Sequence, residues 1–291
     1  VFPTGQLLTK IADLINAPKT NYWKIRSAIL KRFWDSDQYD LVISTANEFA
    51  FDSPSIQYIH YPNTSADYRR FIVWLYQKFF MYIANQDYNG VRETTLLANS
   101  NWTASITSNT YGQRPQVVYP PVDTAVFRNF QQPWSARENG FVCIGRIKPE
   151  KNICRNIQIV SQLRKKGYNV HLHILGPVPD SSYSKMIRNA ASKKDYIILE
   201  GKVGRRELAK TVGAHKFGIH GKENEHFGMA VAELVAGGTV PLVHNSGGQR
   251  EIVNNLDPIL YDNADQAIQK ADSLFTQRNL RKSIIDDLPD I

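Results

Sequence analysis

Apolar residues in the second half of the chain come in short runs separated by stretches of helical period. Gly140–Ile144 reads as a strand, Asn152–Lys166 as a helix, Asn169–Leu175 as a strand and Ser182–Ser192 as a helix. Tyr196–Leu199, Arg205–Val212, Phe217–His220, Met229–Ala236, Val240–Val243 and Gln249–Val253 continue the alternation. Brief apolar runs bounded by turn residues are the mark of strands buried on both faces. Strands alternating with helices at this spacing predict right-handed βαβ units and a mostly parallel sheet. The first half is less regular. It offers strands at Asp40–Ser44, Ile56–His60, Thr95–Asn99 and Gln116–Tyr119, and helices at Thr20–Trp34 and Ala66–Ile83. The polar, proline-bearing segment Asn129–Gly140 reads as a linker. The pattern therefore predicts an α/β protein of two domains, residues 1–132 and 133–291. No strand or glycine-rich loop precedes the first helix, so the N-terminal domain is expected to be incomplete.

Composition narrows the picture only a little. A length of 291 residues suits two domains, and 42% apolar with 21% charged residues is ordinary for a soluble globular protein. No stretch approaches the ~18–20 consecutive apolar residues of a membrane span, and no signal peptide opens the chain. Cys143 falls in an apolar strand and Cys154 near a helix start, which fits a reduced, cytoplasmic setting. Asn63-Thr64-Ser65 and Asn101-Trp102-Thr103 match the glycosylation acceptor pattern at a frequency chance alone would give. The net charge of +8 suits anionic partners. Nucleic acid is disfavoured among these, since the chain lacks zinc spacing, an aromatic RNP-type strand and a helix-turn-helix.

The chemistry concentrates in two loops at carboxyl ends of strands, the edge where such sheets bind ligands. Glu225 and Glu233 stand eight positions apart, with Gly228 where the chain enters the helix at Met229. A helix start aims unpaired N–H groups and a positive dipole end at one spot, which suits phosphate. A carboxylate on either side could bind hydroxyls, so the arrangement fits a phosphate between two polyols. Glu225 is tolerably explained as a surface residue near a helix N-terminus, but Glu233 sits among Val231, Ala232 and Leu234, where carboxylates are unusual. In the run Gly145-Arg146-Ile147-Lys148-Pro149-Glu150-Lys151-Asn152, Arg146 and Lys151 could reach one diphosphate from two directions, although a solvated basic turn would look similar. His60 ends an apolar strand before Tyr61-Pro62, where a histidine is more often structural than catalytic. His220 and His226 bracket Glu225 without the further ligand a metal site needs. Asp35-Ser36-Asp37 resembles an acidic metal-binding pair but consists of ordinary turn residues. Ala66–Ile83 carries an apolar stripe at Phe71, Leu75, Phe79 and Tyr82 beside Arg69, Arg70 and Lys78. It reads as a helix packed on its own domain or, alternatively, as one resting on a membrane surface.

Together these motifs resemble the family-4 glycosyltransferases of the GT-B fold, with two Rossmann-like domains facing a cleft. Gly145–Asn152 resembles the family's diphosphate loop, Glu225 to Glu233 its E-x7-E motif, and Gly247-Gly248-Gln249-Arg250-Glu251-Ile252-Val253 its GG-x-x-E-I-V stretch. Tyr58–Pro62, Asn99–Thr103 and Val118–Asp123 are similar to the branch of α-1,2-mannosyltransferases that extend a lipid-linked oligosaccharide. The resemblance implies retaining transfer of a hexose, mannose from GDP-mannose, to a lipid-linked or membrane-presented glycan. It implies a nucleotide-sugar donor (GDP- or UDP-hexose), no cofactor, no metal, and a peripheral place on the cytoplasmic membrane face. Arg146 and Lys151 would bind the donor diphosphate, and the backbone N–H groups after Gly228, on Met229 and Ala230, the distal phosphate. Glu233 would bind ribose, Val203 the base through its backbone, Glu225 the transferred sugar, and His60 that sugar from the N-terminal domain. Two departures stand out. The family's N-terminal glycine-rich loop is missing, and Gln249-Arg250 replaces the branch's proline–lysine pair. Rival readings are a nucleotide-sugar epimerase of the same fold and a non-catalytic nucleotide-binding module.

Overall fold

A computed structural model describes residues 39–48, 51, 54–62, 91 and 94–291. The chain falls into two units, Val1–Tyr119 and Pro120–Ile291. The helices expected at Thr20–Trp34 and Ala66–Ile83, and the Asp35–Asp37 pair, lie outside the described residues.

In the first unit, β1 (Val42–Ser44), β2 (Ser55–Ile59), β3 (Thr95–Ala98) and β4 (Gln116–Val117) form a parallel sheet in that order. Alternate residues of β2 turn inward, and Ile59 packs with Leu96, Val91 and Tyr111. Helix α1 (Asn101–Tyr111) follows β3 and is absent from the sequence reading. Its buried positions are Thr103, Ala104, Thr107 and Tyr111, so threonines occupy an inward stripe that hydropathy does not register. Its limits are well defined: the Ser100 hydroxyl accepts the Thr103 N–H at 3.0 Å, and Gly112 closes the helix at φ 75°.

The second unit opens with α2 (Ala125–Arg128) and β5 (Glu138–Ile144), followed by α3 (Ile153–Lys165), β6 (His171–Leu175), α4 (Ser182–Ser192) and β7 (Ile197–Gly201). The chain then crosses by α5 (Arg205–Ala214) to β8 (His215–His220), and continues through α6 (Met229–Ala236), β9 (Val240–His244) and α7 (Gln249–Ile252). Beyond Val253 come β10 (Leu260–Tyr261), α8 (Ala264–Thr276) and α9 (Arg278–Asp287). The six-stranded sheet has the order β10-β9-β8-β5-β6-β7, every pair parallel. Alternation of side chains splits the core into layers. Phe141 and Cys143 of β5 pack with Ile153, Ile157 and Leu274. Val142 packs with Phe127, Ala209, Val212 and Leu234. Burial pushes the Cys143 thiol up to about 11, so it stays protonated inside the core.

Asn129–Gly140 is not the free linker its polarity suggests. It holds a 3-10 turn at Trp134–Ala136 and the start of β5. Arg137 is buried there because backbone carbonyls supply its partners: its guanidinium donates to Gln132 O at 2.7 Å, Gly237 O at 3.0 Å and Gly238 O at 2.6 Å.

The strand order reverses between β5 and β8, and the crevice beyond their carboxyl ends is where doubly wound sheets bind ligands. On its other side the loop after β5 lies backbone against backbone with the loop after β6. Gly145 N–H donates to Leu175 O at 2.9 Å, and a Cβ on Gly176 would stand 2.1 Å from Gly145 O. Gly176 also has φ 147°, so both its conformation and its contact call for glycine. We expect Gly176→Ala to cost about 2–4 kcal/mol of stability, read by urea unfolding; a loss below about 0.5 kcal/mol would contradict the close approach.

Candidate active site

The loop after β5 and the loop after β8 meet through one ion pair. Lys151 closes the 3-10 turn Pro149–Lys151, and Asn152 takes a left-handed φ of 50° before α3 begins. That turn sends the Lys151 ammonium to within 2.6 Å of Glu225 Oε2. Lys222 reaches Glu225 Oε1 at 2.9 Å, and His220 Nε2 lies 3.4 Å from Oε2. The Asn152 side-chain amide donates to Gly221 O at 3.0 Å, a second tie between the loops.

Burial alone would raise the Glu225 carboxyl pKa. The His220 hydrogen bond and the Lys151 and Lys222 charges outweigh it and hold the group well below the usual carboxylate range. His220 is buried and shifted the other way, chiefly by loss of water, so it is neutral at physiological pH. The cluster thus carries two ammonium groups against one carboxylate. Arg146 lies on the same loop after β5 as Lys151; the side chain is exposed, and no hydrogen bond or ion pair engages it among the described residues.

Glu225 is fixed from behind as well. It forms a parallel bridge with Gly247, and Gly248 N–H donates to its carbonyl at 2.8 Å. A Cβ on Gly247, where φ is 75°, would stand 2.3 Å from that carbonyl oxygen. The Gln249 side chain is fully buried, and its amide nitrogen serves the carbonyls of Lys222 at 2.8 Å, His244 at 2.9 Å and Ser246 at 2.9 Å. Gln249, one of the departures in the sequence, is therefore a positioning residue for the Glu225 loop.

Gly228 (φ 114°) starts α6, and no side chain caps the helix. The N–H groups of Met229 and Ala230 make no hydrogen bond among the described residues, which leaves the positive end of the helix dipole open. Glu233, one turn further on, is buried and pairs with the Arg205 guanidinium. Burial raises its pKa, and Arg205 offsets only part of that. Arg205 also donates to Asp123 O at 2.9 Å and lies over the Phe127 ring at 4.8 Å. Val203, just before α5, packs beside the same Phe127 cluster. Val203, Arg205 and Glu233 thereby gather at one corner. Lys151, Glu225, Gly228 and the first turn of α6 gather at the switch point.

His60 belongs to the other unit, at the carboxyl end of β2. Its Nε2–H donates to Thr45 O at 3.0 Å, and its backbone N–H to Asn47 Oδ1 at 2.7 Å. Sequence reasoning passed over Lys222 and Arg205, met Gln249 only as a departure from the family pattern, and met His220 only as a residue bracketing Glu225. Lys222 alone had a local signal, its place three residues before Glu225; Arg205 and Gln249 act across the fold. Among the described residues the metal-ligating side chains that cluster are His171, His173 and His215. Both β6 and β8 begin with one of them, so they lie at the opposite end of the strands from the Glu225 loop.

Residues 127–287 match the family described as Glycosyl transferases group 1. A GDP-Man:Man(3)GlcNAc(2)-PP-Dol alpha-1,2-mannosyltransferase of Caenorhabditis elegans is 31% identical over 170 residues, 53% of this chain and 36% of that protein. The same-named protein of Dictyostelium discoideum is 27% identical over 175 residues, 54% of this chain and 35% of its own. The matched regions thus span about a third of these curated relatives. A solved glycosyltransferase from Rickettsia africae has a TM-score of 0.63 at 15% identity, covering 92% of this chain and 77% of that one. This likeness establishes the fold expected from the sequence, the GT-B type with two parallel-sheet units. With more than half of its length matched, the chain belongs to the group 1 glycosyl transferases.

Proposed function

We propose that this chain carries the donor site of a retaining glycosyltransferase that moves mannose from GDP-mannose onto a lipid-linked or other membrane-presented glycan. One observation carries the reading: a cationic cluster built around the ionised Glu225 stands beside the uncapped start of α6 at the sheet's switch point. The names of the relatives support mannose, GDP and a dolichol-linked acceptor.

In this reading Arg146 and Lys151 neutralise charge on the departing diphosphate, the role a metal fills elsewhere, so transfer runs without one. The Met229 and Ala230 N–H groups hold the distal phosphate. Glu233 takes the ribose hydroxyls, exchanging them for part of its contact with Arg205, and Val203 meets the base through its backbone. Glu225 accepts hydrogen bonds from hydroxyls of the transferred sugar. His60 meets the sugar from the N-terminal unit. The protein is proposed to work peripherally on the cytoplasmic membrane face; among the described residues no helix is long and apolar enough to cross a membrane.

Removing the Glu225 carboxylate unpairs two lysines beside the phosphate spot without taking away a phosphate donor. Glu225→Ala should therefore lower mannosyl transfer at least ~100-fold while GDP binds as tightly as before or tighter. Turnover at the wild-type rate would sink the assignment. Arg146→Ala should weaken GDP about tenfold, the worth of a charge-assisted hydrogen bond, and leave guanosine unchanged in calorimetric titrations. Equal losses for both ligands would contradict the role of Arg146. Gln249→Leu keeps the volume but removes the buried donor shared by Lys222 O, His244 O and Ser246 O, of which His244 O keeps the Ser246 N–H. A loss of about 2–3 kcal/mol in urea unfolding, together with a fall in transfer, is expected; wild-type values in both would remove Gln249 from the site.

A further inference from the structure

Three imidazoles converge at the end of the sheet opposite the phosphate loops. His171 and His173 stand two positions apart on β6, so they share a face. His215 begins β8, and β5 runs between these strands. One nitrogen from each ring lies within 4.8 Å of the other two. His171 Nε2 comes to 2.9 Å from His215 Nε2. Two nitrogens bound at 2.0–2.1 Å to a tetrahedral zinc stand about 3.3 Å apart, so the His171–His215 pair needs to open by a few tenths of an ångström and the His173 nitrogen, within 4.8 Å of the others, to close by up to about 1.5 Å through a turn of its partly exposed ring.

The bridge across β5 depends on a glycine. Gly140 pairs with His171 in register, and a Cβ there would stand 2.3 Å from His171 Nε2. Any other residue at this position would push the His171 ring off its path to His215.

Outer hydrogen bonds fix the metal-competent tautomer of two of the three rings. His215 Nδ1 meets Thr211 O at 2.6 Å, and His173 Nδ1 meets Glu200 Oε1 at 2.8 Å. Each acceptor is an oxygen without a hydrogen, so each Nδ1 carries the proton and each Nε2 keeps its lone pair. Binding histidines in metal sites habitually hold their second ring nitrogen this way, on a carbonyl or a carboxylate. Glu138 Oε2 lies 3.5 Å from His171 Nε2 and its side chain is 60% exposed, so it can serve as fourth ligand or yield that place to water. His171 and His173 are partly exposed, which opens the cluster to ions from solvent. Without an ion, His171 Nε2–H donates to the His215 Nε2 lone pair at 2.9 Å; a bound cation would displace that proton, and the same glycine and anchored Nδ1 groups serve both states.

We propose that His171, His173 and His215 form a binding site for a divalent d-block cation, zinc by the chemistry of its three imidazoles, which ties β6 to β8 across β5. Its place is structural. His171 sits roughly 13 Å along β6 from Leu175, where the loops of the donor site begin.

The test is a calorimetric titration of zinc chloride into the chelator-treated full chain, with melting temperatures followed in parallel. The Cys154→Ser variant serves as background, to remove an exposed thiol. One zinc per chain, a micromolar or tighter affinity and a raised melting temperature are expected. His171→Gln/His173→Gln should lose at least ~30-fold in affinity with the chelated melting temperature little changed. His173→Gln alone, on a partly exposed side chain, provides the same reading should the double variant misfold. Cobalt in place of zinc should give the intense visible bands of four-coordinate Co(II), absent from the variants. No binding below millimolar zinc, or equal affinity in wild type and variants, would overturn the site.

Discussion

The 2.6 Å pair between Lys151 and Glu225 joins two loops that leave neighbouring central strands of the sheet. Strand order reverses at that point, so the chain itself provides no adjacent connection between the loop after β5 and the loop after β8. The ion pair and the Asn152 bond to Gly221 supply it. Everything nearby is built to let these backbones approach. Gly221 has no room for a Cβ, which would stand 2.6 Å from Asn156 Oδ1, and Gly247 backs directly onto Glu225. Gln249 then ties the Lys222 carbonyl of the Glu225 loop to the His244 and Ser246 carbonyls at the end of β9.

The two glutamates of one motif end in different electrostatic states. Both are largely buried, and burial disfavours the charged form of each. Glu225 has two ammonium groups and a histidine to reverse that penalty; Glu233 has one guanidinium, which is 40% exposed and shared with Asp123. Glu225 is therefore a fixed anion inside a cluster of net positive charge. Glu233 is held less firmly as an anion, with the half-exposed Arg205 as its one ionic partner among the described residues. The sequence motif names both residues alike, and only the tertiary surroundings separate them.

The parallel sheet of the second unit was legible because strands buried on both faces leave runs of apolar residues, and α4 and α6 appear with the expected limits. Helix α1 escaped because threonine fills part of its inward stripe, and Asn129–Gly140 misled because Arg137 satisfies itself on carbonyls distant in sequence. Glu225, Lys151 and Gly228 were visible as loop residues at strand ends. Their pairing was not, since no local pattern records that a lysine in one loop neutralises a glutamate in another. The histidine cluster shows the same division. His171 and His173 can be read on one strand, while His215 and the space above Gly140 exist only in the folded sheet.

Hydrogen–deuterium exchange with and without GDP-mannose tests the donor site most directly, because the uncapped amides of α6 are the proposed phosphate ligands. Protection of the Met229 and Ala230 amides and of the Gly145–Lys151 loop is predicted when the donor binds, with the sheet interior unchanged. Binding that protects other segments and leaves these amides exchanging at their free rate would contradict it.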